Sequence, residues 1–168
     1  MTTTITINDL LVEYGSLAEN KDQAPMRVGA RLLEDFINLY EKNSYEPDVE
    51  DTANLLYYLT DIQVRDYTLG LLNVDDAEYQ QHALTYLLEA APTNTEYINA
   101  PAVLLAVLQY ELGNTKAALL TLSNASEDYS LAQLIRRVFA SDWKPEMFQQ
   151  MREELHASVT EGIFGEGN

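Results

Sequence analysis

The chain has no cysteine. That removes disulfides, thiolate metal sites and a cysteine nucleophile together, and it suits a reducing compartment. No apolar run approaches the roughly 18 residues that a membrane span requires. The opening MTTTITINDLL has neither a basic n-region nor an apolar h-region, so no secretory signal is expected. The expectation is a soluble, cytoplasmic protein without membrane contact. Bases are scarce as well. Ten Lys and Arg stand against 27 Asp and Glu, a net charge of −17 and a pI near 4.2. Nucleic acid is itself a polyanion, so direct binding by this surface is opposed rather than steered.

Catalytic equipment is equally thin. There is no phosphate-binding Gly-rich loop and no Gly-x-Ser-x-Gly elbow for a nucleophilic serine. Only two histidines occur, His82 and His156. Glu153-x-x-His156 has the spacing of a carboxylate-bridged metal bundle, but such a site needs a second Glu-x-x-His and two more glutamates. Three residues before His82 stands Tyr79, not an acid, and a solvated helix end is the expected home of His156. Glu78-x-x-x-His82 brings an acid and an imidazole within one helical turn, enough for a local hydrogen bond. No catalytic residue, metal ligand or cofactor is predicted.

What is present is helical periodicity. At 168 residues with 46% hydrophobic content, the chain can bury a core as one domain. We read it as all-α, an irregular bundle of about eight short helices. The domain spans 1–161, with N-terminal helices over 1–44, a core over 45–161 and a flexible tail over 162–168. A weak opening helix follows candidate caps Thr6 and Asn8, and Pro25 opens a second helix with Val28, Leu32, Leu33, Phe36, Ile37 and Tyr40 inward. Residues 43–46 form a turn before Pro47. Asp61 caps a fourth helix, Asp75 or Asp76 a fifth with Tyr79, Ala83, Leu87 and Ala90 along one face, and 93–100 is a loop. A sixth helix over 101–112 aligns Leu105, Leu108 and Leu112, and Gly113-Asn114 closes it. The eighth carries Leu131, Leu134, Ile135, Val138 and Phe139 at buried-face spacing. The last starts at Pro145 with Phe148, Met151, Leu155 and Val159.

Ala106, Gly113, Ala118 and Ala125 place small residues where two paired helices need them. In this the sixth and seventh helices resemble one tetratricopeptide unit. A longer resemblance runs through 61–148. Its residues are Val64-Arg65-Asp66, Leu69, Leu87, Ala91-Pro92, Pro101-Ala102, Leu104-Leu105-Ala106, Tyr110, Gly113, Ala118, Tyr129-Ser130-Leu131-Ala132, Leu134 and Pro145. These are similar to the C-terminal part of an actinobacterial family of unknown function, domain-of-unknown-function family four-one-nine-two. The resemblance implies a helical fold and no assigned activity.

Charge is unevenly spread. Residues 43–100 hold eleven acids against Arg65 alone, while 101–140 hold three acids and three bases. Glu46, Asp48, Glu50, Asp51, Asp75, Asp76 and Glu78 form a candidate acidic face for a protein partner, a basic one by complementarity. Many of these acids also stand at helix starts, where the dipole favours them. Arg65-Asp66 within an apolar helix predicts an ion pair that fixes packing. Arg136-Arg137, the only adjacent bases, are expected to cover a helix flank. Eleven tyrosines suit both core and interface. The functional expectation is a non-enzymatic, acidic interaction module that binds another protein or itself. The alternative is an acidic decoy that imitates nucleic acid to block a DNA-binding protein, of the kind mobile elements carry.

Overall fold

The computed structural model describes residues 4–17, 23–40, 42 and 46–165. Residues 43–45 of the expected 43–46 turn and the last three residues of the expected tail lie outside the described residues. Nine α-helices and no strand occur among them: α1 (Ile7–Leu17), α2 (Gln23–Leu39), α3 (Val49–Tyr58), α4 (Ile62–Leu71), α5 (Ala77–Ala90), α6 (Asn99–Glu111), α7 (Thr115–Leu122), α8 (Ser130–Ala140) and α9 (Pro145–Phe164). Short 3₁₀ turns at Val74–Asp76 and Glu96–Ile98 lead into α5 and α6. The chain is an all-α, irregular bundle.

Local chemistry sets most helix starts. Thr6 and Asp9 satisfy each other reciprocally, Asp9 N–H donating to Thr6 Oγ1 at 3.2 Å and Thr6 N–H to Asp9 Oδ2 at 2.9 Å. This is a capping box with Asp in the Glu position. Asp48 accepts from Asp51 N–H, and Asp61 from Gln63 and Val64 N–H. The start of α5 is not capped by the Asp75 or Asp76 side chain, contrary to the sequence expectation. Asn73 caps the 3₁₀ turn, and Asp76 makes no side-chain cap bond. Between α6 and α7 the chain reverses at Gly113, whose φ of +83° suits glycine. Asn114 N–H then donates back to Gln109 O at 2.9 Å, closing the end of α6.

The core is built around α6, in which eleven residues from Asn99 to Tyr110 are buried. A helix that is apolar all round must be surrounded, and α5, α7, α8 and α9 surround it. On the other side, α2 packs on α3, α4 and α5, and α1 on α3. The last helix then returns along α4. Arg27 fastens that return, donating from Nε to Ile163 O at 2.9 Å and from Nη2 to Gly165 O at 3.3 Å. These are carbonyls at the end of α9 that have no intrahelical partner.

Several expected faces are rotated. Val28, Tyr79, Leu112, Leu134 and Leu155 are exposed rather than inward. In α9 the buried stripe is Phe148, Arg152 and Ile163. Tertiary neighbours, not hydropathy, choose the inner face there. The expected tail also begins too early, because α9 runs through Gly162 to Phe164 and Ile163 is buried. The expected loop at 93–100 contains the Glu96–Ile98 turn and the start of α6.

Candidate functional site

The seven acids fall into two groups. Glu46, Asp48 and Glu50 are exposed at the entry to α3, and Asp51 is half-buried beside them. Asp75 and Glu78 are exposed and Asp76 is half-buried at the entry to α5. Tyr86, eight residues beyond Glu78 and so about 12 Å further along α5, meets the α3 entry instead. Its hydroxyl lies 2.7 Å from Thr52 Oγ1 and donates to Pro47 O at 3.4 Å. Glu46 and Glu89 both face Tyr40, whose pKa is raised first by burial and further by Tyr86 and these two carboxylates. The acidic surface is therefore two patches at different ends of α5, and Glu89 belongs with the first.

The most deeply buried charges lie elsewhere. Arg152 grips Glu111, from Nε to Oε1 at 3.1 Å and from Nη2 to Oε1 and Oε2 at 2.9 and 3.0 Å. Its Nη1 donates to Leu69 O at 3.0 Å. Both side chains are almost wholly covered. Burial raises the Glu111 pKa and outweighs the opposing pull of Arg152. One turn on, His156 is not at a solvated end. Its ring lies 5.0 Å from that of Tyr67, and its buried Nδ1 has no hydrogen-bond partner among the described residues. Burial lowers its pKa. Gly70 makes room for it, since a Cβ there would come within 2.7 Å of His156 Cβ. Tyr67 in turn donates to Glu34 Oε2 at 2.9 Å, and burial followed by this carboxylate pushes its pKa up to about 12. Glu153 is exposed and receives Gln149 Nε2, so the Glu153-x-x-His156 pair does not converge. These groups join α9 to α2, α4 and α6.

Arg65 and Asp66 do pair, at 2.8 Å. Arg65 Nη1 also donates to the Tyr129 hydroxyl at 3.2 Å. Burial alone would lower the Arg65 pKa, but Tyr129 and Asp66 more than offset it. Two stretches that carry the family resemblance, Val64-Arg65-Asp66 and Tyr129-Ser130, thus meet across 64 positions of sequence. The hollow beside them, about 240 Å³ and lined by Leu59, Ile62, Tyr97 and Asn99 among others, is smaller than a typical ligand pocket of about 300–1,000 Å³. It is a packing node.

A larger depression runs between α7 and α8. Its volume is about 720 Å³, and its lining includes Leu119, Leu122, Ser123, Gln133, Arg136 and Arg137. Leu122 and Ala125 are buried at its base, while Leu119 is 51% exposed and its neighbour Leu120 65%. Arg136 Nη2 donates to Leu122 O at 3.5 Å and Ala125 O at 3.4 Å, which anchors α8 to the end of α7. Arg137 is exposed beside it. Sequence reasoning expected these arginines on a flank but assigned no site there. The available signal was the surplus of leucines in LLTL, more than one helix face of α7 can bury.

Among the described residues no group of three or more His, Asp and Glu is placed to hold a metal ion, and no helix is long and apolar enough to cross a membrane. The family model described as Domain of unknown function (DUF4192) matches residues 8–146. The match begins well before the resemblance read from 61–148, and so takes in α1 to α3 as well. No curated protein and no solved structure matches the chain.

Proposed function

This chain belongs to the family described as Domain of unknown function (DUF4192), and since that description carries no activity we propose its role from geometry: a non-enzymatic module that docks a partner protein in the α7–α8 groove. The observation that carries this reading is the groove itself, whose lining includes the exposed Leu119, with Leu120 exposed next to it in sequence. Apolar side chains next to a concave surface lose water contact when a partner covers them, at about 25 cal/mol per Å². Support also comes from the tetratricopeptide-like character of the α6–α7 hairpin, with Ala106 and Ala118 buried and Gly113 in the left-handed region. The same reading takes the protein as cytoplasmic and actinobacterial, and as corresponding to the C-terminal part of its family.

The test is capture from a lysate of the source organism by wild type and by Leu119→Ser/Leu120→Ser. Both positions are exposed, so the double variant should keep the wild-type denaturation midpoint and lose the specific partner. Retention of the same partner would refute the reading. The second reading, an acidic decoy for a DNA-binding protein, is favoured by the exposure of Glu46, Asp48, Glu50, Asp75 and Glu78. A partner held by those acids would leave as salt rises, because exposed charges are screened beyond about 8 Å at physiological ionic strength. It would also be indifferent to the leucine changes.

A further inference from the structure

We infer that the occupant of the α7–α8 groove is an acidic amphipathic helix of a partner protein, its apolar stripe on Leu119 and its carboxylates facing Arg137 and Lys116. This rests on the docking reading above and adds the chemistry of the partner. The first ground is charge. The molecule as a whole is at −17, yet 115–140 holds three bases, Lys116, Arg136 and Arg137, against Glu127 and Asp128. The groove lining itself sets Arg136 and Arg137 against Glu127, so it is a locally positive place on a negative protein, and it attracts the acidic segments that the rest of the surface repels.

The second ground is availability. Arg136 is committed to the Leu122 and Ala125 carbonyls. Arg137 is exposed and its guanidinium has no hydrogen bond or ion pair with a described residue, and the same is true of Lys116. Lys116 lies three residues before Leu119, and residues so spaced are neighbours on a helix surface. Lys116 therefore extends the α7 stripe of Leu119 toward the start of that helix, and Arg137 lines the α8 wall.

The third ground is shape. Two helices form the walls, and α8, eleven residues long, extends about 16 Å. That length suits about three turns of a helix laid into the groove through i, i+3, i+4 and i+7 anchors. Nucleic acid is a poorer occupant, because its affinity comes from neutralising many phosphates and only these few bases are at hand. A second copy of the chain would bring its own large negative charge.

The experiment uses the whole protein and three synthetic helical peptides of about 14 residues, or four turns, with acetylated and amidated ends. One carries leucines at the anchor positions and glutamates on the flanks. The second has lysine for each glutamate, and the third serine for each leucine. Backbone amide shifts report the place of binding, and fluorescence anisotropy its strength. The glutamate peptide should shift amides of α7 and α8, and the serine peptide should not. Arg137→Glu should weaken the glutamate peptide by at least about fivefold and strengthen the lysine peptide, as a charge reversal near 1 kcal/mol requires.

Equal binding of glutamate and lysine peptides in the groove would overturn the acidic partner while leaving the docking reading standing. Unmoved groove amides with every peptide would overturn the proposal, and the lysate comparison with the leucine variant would still decide the docking reading by itself. Sedimentation of the protein alone as a dimer that Arg137→Glu dissociates would replace the partner with a second copy and overturn it too.

Discussion

Removing one member of the Glu111–Arg152 pair should destabilise this fold more than removing both. The guanidinium makes three contacts with the carboxylate and one with Leu69 O, and neither side chain meets water. Glu111→Met leaves a buried guanidinium with one carbonyl for company, and a broken buried pair of this kind costs about 3–5 kcal/mol. For a chain of this size that corresponds to a fall in Tm of about 6–20 °C. Arg152→Met leaves a carboxylate that can take up a proton. With its cation gone, burial and the Glu153 carboxylate act on Glu111 unopposed and raise its pKa further than in wild type. A carboxyl with a raised folded pKa holds its proton more readily folded than unfolded, so its stabilising share is present at low pH and lost as pH rises through the folded value. The Arg152→Met defect should therefore be milder at pH 5 than at pH 8. The double change Glu111→Met/Arg152→Met replaces two desolvated charges with apolar volume and should be milder than either single change at pH 8. Urea unfolding of the four proteins at both pH values gives the coupling energy directly. Additive single effects, or an Arg152→Met defect that worsens toward pH 5, would refute the argument.

Other consequences follow from the same packing. Gly70→Ala should cost about 1–3 kcal/mol or more by forcing α4 from α9, since the new Cβ overlaps the His156 ring as well as its Cβ; an unchanged urea midpoint would contradict this. Ala118→Leu should cost about 1–3 kcal/mol at the buried α6–α7 contact, read in the same way. Because burial depresses the His156 pKa, its neutral form stabilises above the unfolded value, and that stability is lost as pH falls from about 6.5. The urea midpoint should accordingly drop between pH 7 and 5.5, and His156→Phe should flatten that slope. Asp48→Ala should cost about 1 kcal/mol through the lost α3 cap, whereas Glu50→Gln, exposed on the first turn, should stay within about 0.5 kcal/mol.

The sequence by itself determined the class and much of the punctuation. Periodicity, together with caps such as Asp61 and Asn114 and the glycine at 113, is encoded within four or five residues, because the hydrogen bonds that begin and end a helix are local. The burial of Ala106, Ala118 and Ala125 was legible for a similar reason, since a tight helical hairpin brings near neighbours in sequence together. The pairing of Arg65 with Asp66 was also within reach, though not the reach of Arg65 to Tyr129. Only the tertiary structure decided which faces turn inward. Leu155 is 57% exposed and Arg152 is 3% exposed, the reverse of what hydropathy along α9 suggests. Arg152 is buried because its partners, Leu69 O and Glu111, arrive from 83 and 41 positions away, and no window of sequence contains them. The groove between α7 and α8 was hidden for the same reason. A leucine reads as core until its neighbours are known, and at Leu119 and Leu120 the neighbouring helices leave the side chains in water.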